Sequence, residues 1–400
     1  MYNFAMNRLN VLFRWSNNNH YTLSALIGLL DDKLDPRKFS VGTLEHIPRP
    51  LTLGPKTVLA YSFMSPDSKK VFNEIRRFKS VHPELTIICG GPHATARPAE
   101  CLDAGANFVF SGEAEESLPL FLKQFREDPL SIDEKVIQPL PIGDFDLYPP
   151  FAYKRKFFGP IELRRGCSNR CGFCQTPRLF PRIRERSVEY VLKYAKFIKK
   201  AGRERVFFTI SDALLYGARG CSVNLPKLEE LLKELKELGM KTHLGNFPSE
   251  ISPAVLAGFP EAAALLKKYV TNRTIIVGGQ SGSERVLKLM NRNHTVADVR
   301  ESVRILHSNG FGAAVDILLG IPGERSSDRK LTLNLINELS GRYSAKFNLH
   351  YFMPLPGSAF EDRSPEPIEN AVKESIRRLI ADGIAHGDFF KQLAFTADNT

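Results

Sequence analysis

Short apolar runs alternate with helix-like segments along almost the whole chain, and this alternation restricts the fold more than any single motif does. In the N-terminal third, strands are expected at residues 10–13, near 39–44, at 58–63, 85–89 and 108–110. Helical patterns separate them, starting near 23–30, then with Val71, Ile75 and Phe78 on one face, near 99–104, and with Leu118, Phe121 and Leu122. Strands spaced by helices at this interval predict a doubly wound, Rossmann-like parallel sheet. Ligands of such sheets bind outside the carboxyl ends of the strands. The loops expected there, 15–20, 62–67, 90–95 and 111–113, are unusually rich in Gly, Asn, Ser, His and Trp. No G-x-G-x-x-G occurs among them, which argues against a nicotinamide site.

A second series follows a break. Residues 128–150 lack periodicity and carry Pro139, Pro141, Pro149 and Pro150, which predicts a stiff linker. Beyond it, an apolar run at 157–163 and strands at 206–210, 241–245, 274–278, 313–319 and 345–352 alternate with helices. Six β/α units are too few to close an eight-stranded barrel, so a partial (β/α)6 barrel of TIM type is expected, with its chemistry at the carboxyl ends of the strands. The expected division is a first domain over 1–130, a linker over 131–155, a barrel over 156–360 and a helical segment over 361–400 with Ile376, Leu379 and Ile380 on its apolar face. A length of 400 residues and a hydrophobic content of 43% accommodate two cores.

Between the apolar run and the next helix lies Cys167-Ser168-Asn169-Arg170-Cys171-Gly172-Phe173-Cys174. Three thiolates this close are one short of a closed tetrahedral zinc site and one short of the usual ligand set of a [4Fe–4S] cluster. Three from one loop leave one iron open to another ligand. A zinc knuckle, or three incidental thiols, is the competing interpretation of so short a pattern. The C-x-x-x-C-x-x-C spacing, with Phe173 before its last cysteine, resembles the cluster loop of radical S-adenosylmethionine (SAM) enzymes. In that resemblance Cys167, Cys171 and Cys174 hold the cluster and SAM completes the fourth iron. Segments at other expected strand ends resemble the same group. Gly278 to Leu287 and then Met290-Asn291-Arg292 is similar to its SAM-carboxylate segment, which implies donors at Gln280, Ser281, Ser283 and Arg292. Residues 315–324 are similar to its adenine-pocket segment, implying contacts from Asp316 and Ile321, and Tyr351 opens a final YFMPLPG turn. Relatives often carry Gly-Gly-Glu where this chain has Ser211-Asp212. Those two residues, and Glu250 after the next strand, are therefore the candidates for the amino end of SAM.

In the first domain, GGPHATARPAE followed by a strand and SGEAEESL resembles the cobalamin-binding domain fused to many radical SAM enzymes. That resemblance implies cobalamin contacts from Trp15, Asn18, His20, Ser62, Met64, Ser65, Gly90, Gly91, His93, Gly112 and Glu113. The D-x-H-x-x-G loop of classical cobalamin domains is replaced by Asn18-Asn19-His20-Tyr21-Thr22-Leu23, so His20 is either the lower cobalt ligand or a helix-capping histidine. The whole pattern resembles a class B radical SAM methyltransferase, which spends two SAM per turnover to methylate an unactivated carbon and draws electrons from a donor of the ferredoxin or flavodoxin type. A radical rearrangement or carbon coupling without methylation is the alternative within the family. A basic nucleic-acid-binding module with a structural metal is the alternative outside it. Cys89, Cys101 and Cys221 are scattered and predict no second cluster, and the first domain lacks the cysteines that methylthiotransferases carry there. With 55 Lys and Arg against 44 Asp and Glu the net charge is +11, compatible with an RNA substrate or with a solvated basic surface. Few cysteines, no signal-peptide pattern in residues 1–10 and no long apolar run lead to the expectation of a cytoplasmic protein.

Overall fold

The computed structural model describes residues 8–46, 53, 56–220 and 222–397, so the N-terminal residues 1–7 and Cys221 lie outside the described residues. The chain divides into two compact units, Met1–Pro160 and Ile161–Thr400. The first contains β1 (Leu9–Arg14), α1 (His20–Lys33), β2 (Phe39–Leu44), β3 (Thr57–Ser62), α2 (Ser68–Val81) and β4 (Thr86–Gly90). It continues with α3 (Pro92–Ala96), α4 (Pro98–Asp103), β5 (Phe108–Phe110), α5 (Ser117–Glu127) and β6 (Val136–Ile137). All six strands are parallel, in the order β2-β1-β3-β4-β5-β6. The strand order reverses between β1 and β3, which is the switch point where such sheets place ligands. β3 is buried along its whole length, as a central parallel strand covered on both faces must be.

The Pro-rich segment expected as a linker packs into this first unit. β6 adds to the sheet edge, and Phe145 and Tyr148 bury against Leu29 of α1. The Ser24 hydroxyl receives the Ala152 N–H at 3.2 Å and donates to the Phe157 carbonyl. Prolines removed helical periodicity from the segment without removing its apolar anchors, and those anchors decide where it lies. Residues 157–160, read from sequence as the start of a strand, also belong here, with the Phe157 ring 5.8 Å from that of Trp15.

The second unit opens with β7 (Ile161–Glu162), β8 (Arg164–Arg165), α6 (Thr176–Leu179), β9 (Arg184–Glu185), α7 (Val188–Lys200), β10 (Arg205–Thr209), α8 (Leu225–Glu237) and β11 (Lys241–His243). Then come α9 (Pro253–Gly258), α10 (Glu261–Tyr269), β12 (Thr274–Gln280), α11 (Glu284–Leu289), α12 (Val296–Ser308), β13 (Gly312–Leu319), α13 (Ser326–Tyr343) and β14 (Lys346–Tyr351). Strands β11-β10-β7 and β12-β13-β14 form two parallel sheets, and the isolated bridge Ile251–Val277 links the segment after β11 to β12. α14 (Asn370–Ala381), β15 (Ala385–His386) and α15 (Phe389–Ala397) complete the unit. β15 pairs in parallel with β14, so the C-terminal segment expected as purely helical contributes a seventh strand. Two paired residues are too few to show a period of two, which is why the sequence pattern missed it.

Gly28 of α1 provides a test of the packed segment. A Cβ there would stand 2.6 Å from the Phe151 carbonyl oxygen. Gly28→Val is expected to cost about 1–3 kcal/mol, read as a lower urea midpoint, whereas a detached linker would leave the midpoint unchanged.

Candidate functional site

The cysteine loop is closed at its base by the antiparallel pair β8–β9, with Arg164 opposite Glu185 and Arg165 opposite Arg184. Gly166 sits just inside this clasp at φ +90°, where a Cβ would stand 2.9 Å from the Arg182 carbonyl oxygen, so only glycine lets the loop turn there. The Ser211 hydroxyl, at the end of β10, donates to the Gly166 carbonyl at 3.2 Å. On the far side, the Gly172 N–H donates to Met290 O at 2.9 Å, and the Gly172 carbonyl receives the Phe360 N–H at 3.0 Å. The Asn291 amide donates to Arg170 O at 2.8 Å, and the Gln175 amide donates to Pro356 O at 2.5 Å. The loop is thus pinned by the segments after β10, β12 and β14. Phe173 is half-buried within it.

Cys171 is buried, while Cys167 and Cys174 are partly exposed. Burial raises the thiols of Cys167 and Cys171, and the neighbouring thiols raise them further. Arg292 opposes this at Cys171, its Nη1 lying 3.2 Å from Sγ, while its Nη2 donates to Gly278 O at 2.8 Å. Among the described residues no three Cys, His, Asp or Glu side chains already converge as a metal-ligand set. Three unbridged thiols on one clasped loop beside a guanidinium nevertheless suit a thiolate-held cluster, whose sulfurs draw in as the metal binds.

Carboxylates gather at the same ends of the strands. Asp212 follows β10, is buried, and accepts the N–H groups of Leu214 at 3.0 Å and Ser252 at 3.2 Å. Burial outweighs those bonds and pushes its carboxyl up to about 7. Glu250, after β11, is also pushed up to about 7 by burial, with Arg292 opposing and Asp316 and Asp212 adding to the rise. Gly278 makes room for this pair, since a Cβ there would stand 3.1 Å from Glu250 Oε1 and 3.2 Å from Arg292 Nη2. Asp316, midway along β13, is raised by burial and receives Asn348 Nδ2 on Oδ1 at 2.5 Å.

The segment after β12 is differently used. Gln280 is buried at φ +62°, where the register of β12 slips against β13. The Ser281 hydroxyl lies 3.3 Å from Thr332 Oγ1 and receives the Ser283 N–H, and the Ser283 hydroxyl donates to Asp328 at 2.6 Å. Ser281 thus faces α13, Ser283 both reaches α13 and caps α11, and Arg292 is the cation of that group. Ile321 is buried in the turn after β13, and the Tyr351 hydroxyl donates to Glu366 O at 3.0 Å while its ring covers Gly320.

In the first unit the marked loops do lie at the carboxyl ends of β1, β3, β4 and β5. Asn18 donates to Asp67 at 3.2 Å, bridging the loops after β1 and β3 across the switch point. Asn19, which the motif did not single out, donates to the carbonyls of Arg14 and Ser62 at 2.9 and 3.0 Å. His20 Nδ1 is 2.7 Å from Asn17 O, with its ring beside Tyr21 and 6.3 Å from the half-buried Trp15. His93 is buried under Phe63 and Phe72, and both ring nitrogens are engaged, by Ser65 Oγ at 3.1 Å and Glu100 at 3.2 Å. Gly91 at φ +91° brings the β4 loop against the end of β3, where a Cβ would stand 2.9 Å from Ser62 Oγ and Phe63 N. Gly112, also left-handed at φ +69°, donates its N–H to Thr95 Oγ1. Gly90 ends β4, Glu113 is half-buried, and Met64 is 46% exposed at the rim. Cys89 and Cys101 face each other within the core, and Cys221 lies outside the described residues.

Comparison with known proteins agrees with this layout. The Radical SAM superfamily profile matches residues 161–336. An uncharacterized protein of Methanopyrus kandleri is 26% identical over 360 residues, 77% of this chain and 68% of that protein. The threonylcarbamoyladenosine tRNA methylthiotransferase MtaB of Bacillus subtilis is 28% identical over 325 residues, 78% of this chain and 69% of that enzyme. Among solved structures, the radical SAM methyltransferase TsrM of Kitasatospora setae, with cobalamin and a [4Fe–4S] cluster bound, superposes at a TM-score of 0.62. It is 16% identical, over 88% of this chain and 74% of that one. The cobalamin-dependent radical SAM enzyme OxsB, with aqua-cobalamin and SAM bound, gives 0.63 at 14% identity over 98% of this chain and 56% of that one. At such identities the likeness is one of fold. Among the described residues no helix is long and apolar enough to cross a membrane.

The raised Asp212 has a measurable consequence. Its native form keeps a proton from its ordinary value of 3.8 up to about 7, whereas the unfolded chain loses it near 3.8. Stability therefore falls as pH rises across that window. Asp212→Asn is expected to flatten urea-derived stability between pH 5 and pH 7 by as much as about 1.4 kcal/mol per pH unit. An unchanged slope would show that Asp212 titrates normally.

Proposed function

We propose that the chain, whose residues 161–336 match the Radical SAM superfamily, is a cobalamin-dependent radical SAM methyltransferase. The observation that carries this reading is the clasped three-cysteine loop beside Arg292 and Glu250, in a chain whose other unit is a doubly wound sheet with glycine-lined loops at its switch point.

A radical SAM domain works with a [4Fe–4S] cluster and SAM; when bound, these supply a 5′-deoxyadenosyl radical, and cobalamin supplies a methyl carrier. The protein's part is to bind, orient and exclude water. Cys167, Cys171 and Cys174 would hold the cluster as thiolates, and Arg292 would favour the charged sulfur of Cys171. Glu250 and Asp212 present carboxylates to an ammonium group. Their raised values leave them poised to ionise when such a cation arrives, because an opposite charge favours the carboxylate. Arg292 is the donor suited to a SAM carboxylate, with Ser281 and Ser283 shaping the turn that presents it. Asp316, Ile321 and Tyr351 line the side assigned to the nucleoside. An external donor of the ferredoxin or flavodoxin type would reduce the cluster.

In the first unit, Gly90, Gly91 and Gly112 permit close backbone approach to a bulky corrinoid, and Trp15, Asn18, Ser62, Met64, Ser65 and Glu113 border the same loop ends. His93 acts from within by fixing Ser65. His20 would be the candidate to hold the cofactor's metal, since an Nδ1–H donated to Asn17 O would leave its Nε2 lone pair free. The sequence likeness to tRNA methylthiotransferases makes sulfur insertion the competing reading. Against it, Cys89 and Cys101 are sealed in a hydrophobic core, where they cannot hold a second cluster open to solvent.

Anaerobically reconstituted protein, given SAM, hydroxocobalamin and dithionite, is expected to release both 5′-deoxyadenosine and S-adenosylhomocysteine. The Cys167→Ala, Cys171→Ala, Cys174→Ala triple variant should lose the first product together with its iron. Release of 5′-deoxyadenosine alone would leave a radical SAM enzyme and remove methyl transfer from its description.

A further inference from the structure

A cavity of about 350 Å³ lies at the end of the first unit's sheet opposite to the switch point. Leu9, Thr57 and Thr86, which line it, are the first residues of β1, β3 and β4. Parallel strands share one starting edge, so the six residues of β1 set the cavity roughly 20 Å from the loops at the carboxyl ends. Its volume falls in the range of small-molecule sites, about 300–1,000 Å³. Leu85 and Phe125 give it an apolar wall, the first buried and the second stacked on Phe121 with ring centroids 5.6 Å apart.

The charged groups around this wall are unequally matched. Glu84 has a partner, since His82 Nδ1 stands 3.3 Å from its Oε1. Lys56 and Arg126 line the same cavity, and no described residue forms an ion pair or side-chain hydrogen bond with either. Arg126 lies in the last turn of α5, where a basic side chain ordinarily donates to the free helix carbonyls. Here it makes no such bond. Its Nε is sealed from solvent without a partner, and its guanidinium carbon lies 5.9 Å from the centroid of the Phe39 ring. A guanidinium carries five N–H donors in a planar fork and accepts nothing. A sealed donor left unpaired costs free energy that a ligand oxygen would recover. An inorganic anion would meet the two cations and leave the apolar wall and most of the volume unused. A neutral apolar molecule would leave the guanidinium unmet.

We propose that this cavity binds a small organic oxyanion, a carboxylate or phosphate monoester on a ring-sized apolar body. Arg126 is the fork that takes two of its oxygens, and Lys56 is the second cation. The apolar body lies against Leu85 and Phe125. Occupancy of this site is independent of which cofactor the carboxyl ends of the strands hold.

Equilibrium dialysis of the reconstituted full-length chain against radiolabelled benzoate and radiolabelled phenyl phosphate tests this. At least one of the two is expected to bind saturably, one per chain. Inorganic phosphate and the neutral benzamide should each compete at least about tenfold less well. Arg126→Gln should weaken binding at least about tenfold, and Lys56→Gln, at an exposed position, several-fold. Both variants should keep their iron and the native circular dichroism spectrum. Saturating hydroxocobalamin should leave the binding unchanged. Failure of both probes to saturate, undiminished binding in both variants, equal competition by inorganic phosphate or benzamide, or displacement by hydroxocobalamin overturns the proposal.

Discussion

Arg292 is the interaction on which the mouth of the second unit depends. One planar guanidinium reaches the sulfur of Cys171 and the Gly278 carbonyl, and its charge offsets the desolvation of Glu250 and Asp212. Three carboxylates and three thiols set close together would repel one another when ionised; a single fixed cation lowers that repulsion without filling the space. Its position follows from the short α11, which returns the chain to the strand end within two turns. Met290 O and Asn291 in the same return anchor the cysteine loop. Charge compensation and loop anchoring are therefore one piece of chain, and the glycine at 278 is what lets it approach Glu250.

Much of this was legible in the residues. Apolar runs and helical patterns located β1 to β5 of the first sheet and β10 to β14 of the second unit, and the cysteine spacing located the loop. Loop ends with unusual composition were found at the switch point because parallel sheets leave few other places for them. What was not legible has identifiable causes. β15 is two residues long and gains its place from pairing with β14, a long-range contact with no local signature. The segment around 145–152 carries prolines that suggest separation, yet Phe145, Tyr148 and Phe151 bind it to α1. The hydrogen bonds of Ser281 and Ser283 to α13, more than forty residues ahead, likewise have no local signature.

The two units solve the same positional problem differently. In the first, side chains stitch loops to each other across the switch point: Asn18 to Asp67, Asn19 to the ends of β1 and β3, and His93 to Ser65 and Glu100. The result is a set of loop ends tied to one another by side-chain hydrogen bonds. In the second unit the strand ends carry buried ionisable groups grouped around one guanidinium.

The β8–β9 clasp changes what metal binding has to accomplish. Closing a loop costs entropy before any contact inside it is gained, and here the antiparallel pair has already brought residues 165 and 184 together. Gly166, Gly172 and Gln175 then tie the interior of the loop to three further segments of the unit. Folding and cofactor loading thereby become separable events in the life of the protein. A chain without a bound cluster would still keep that loop ordered.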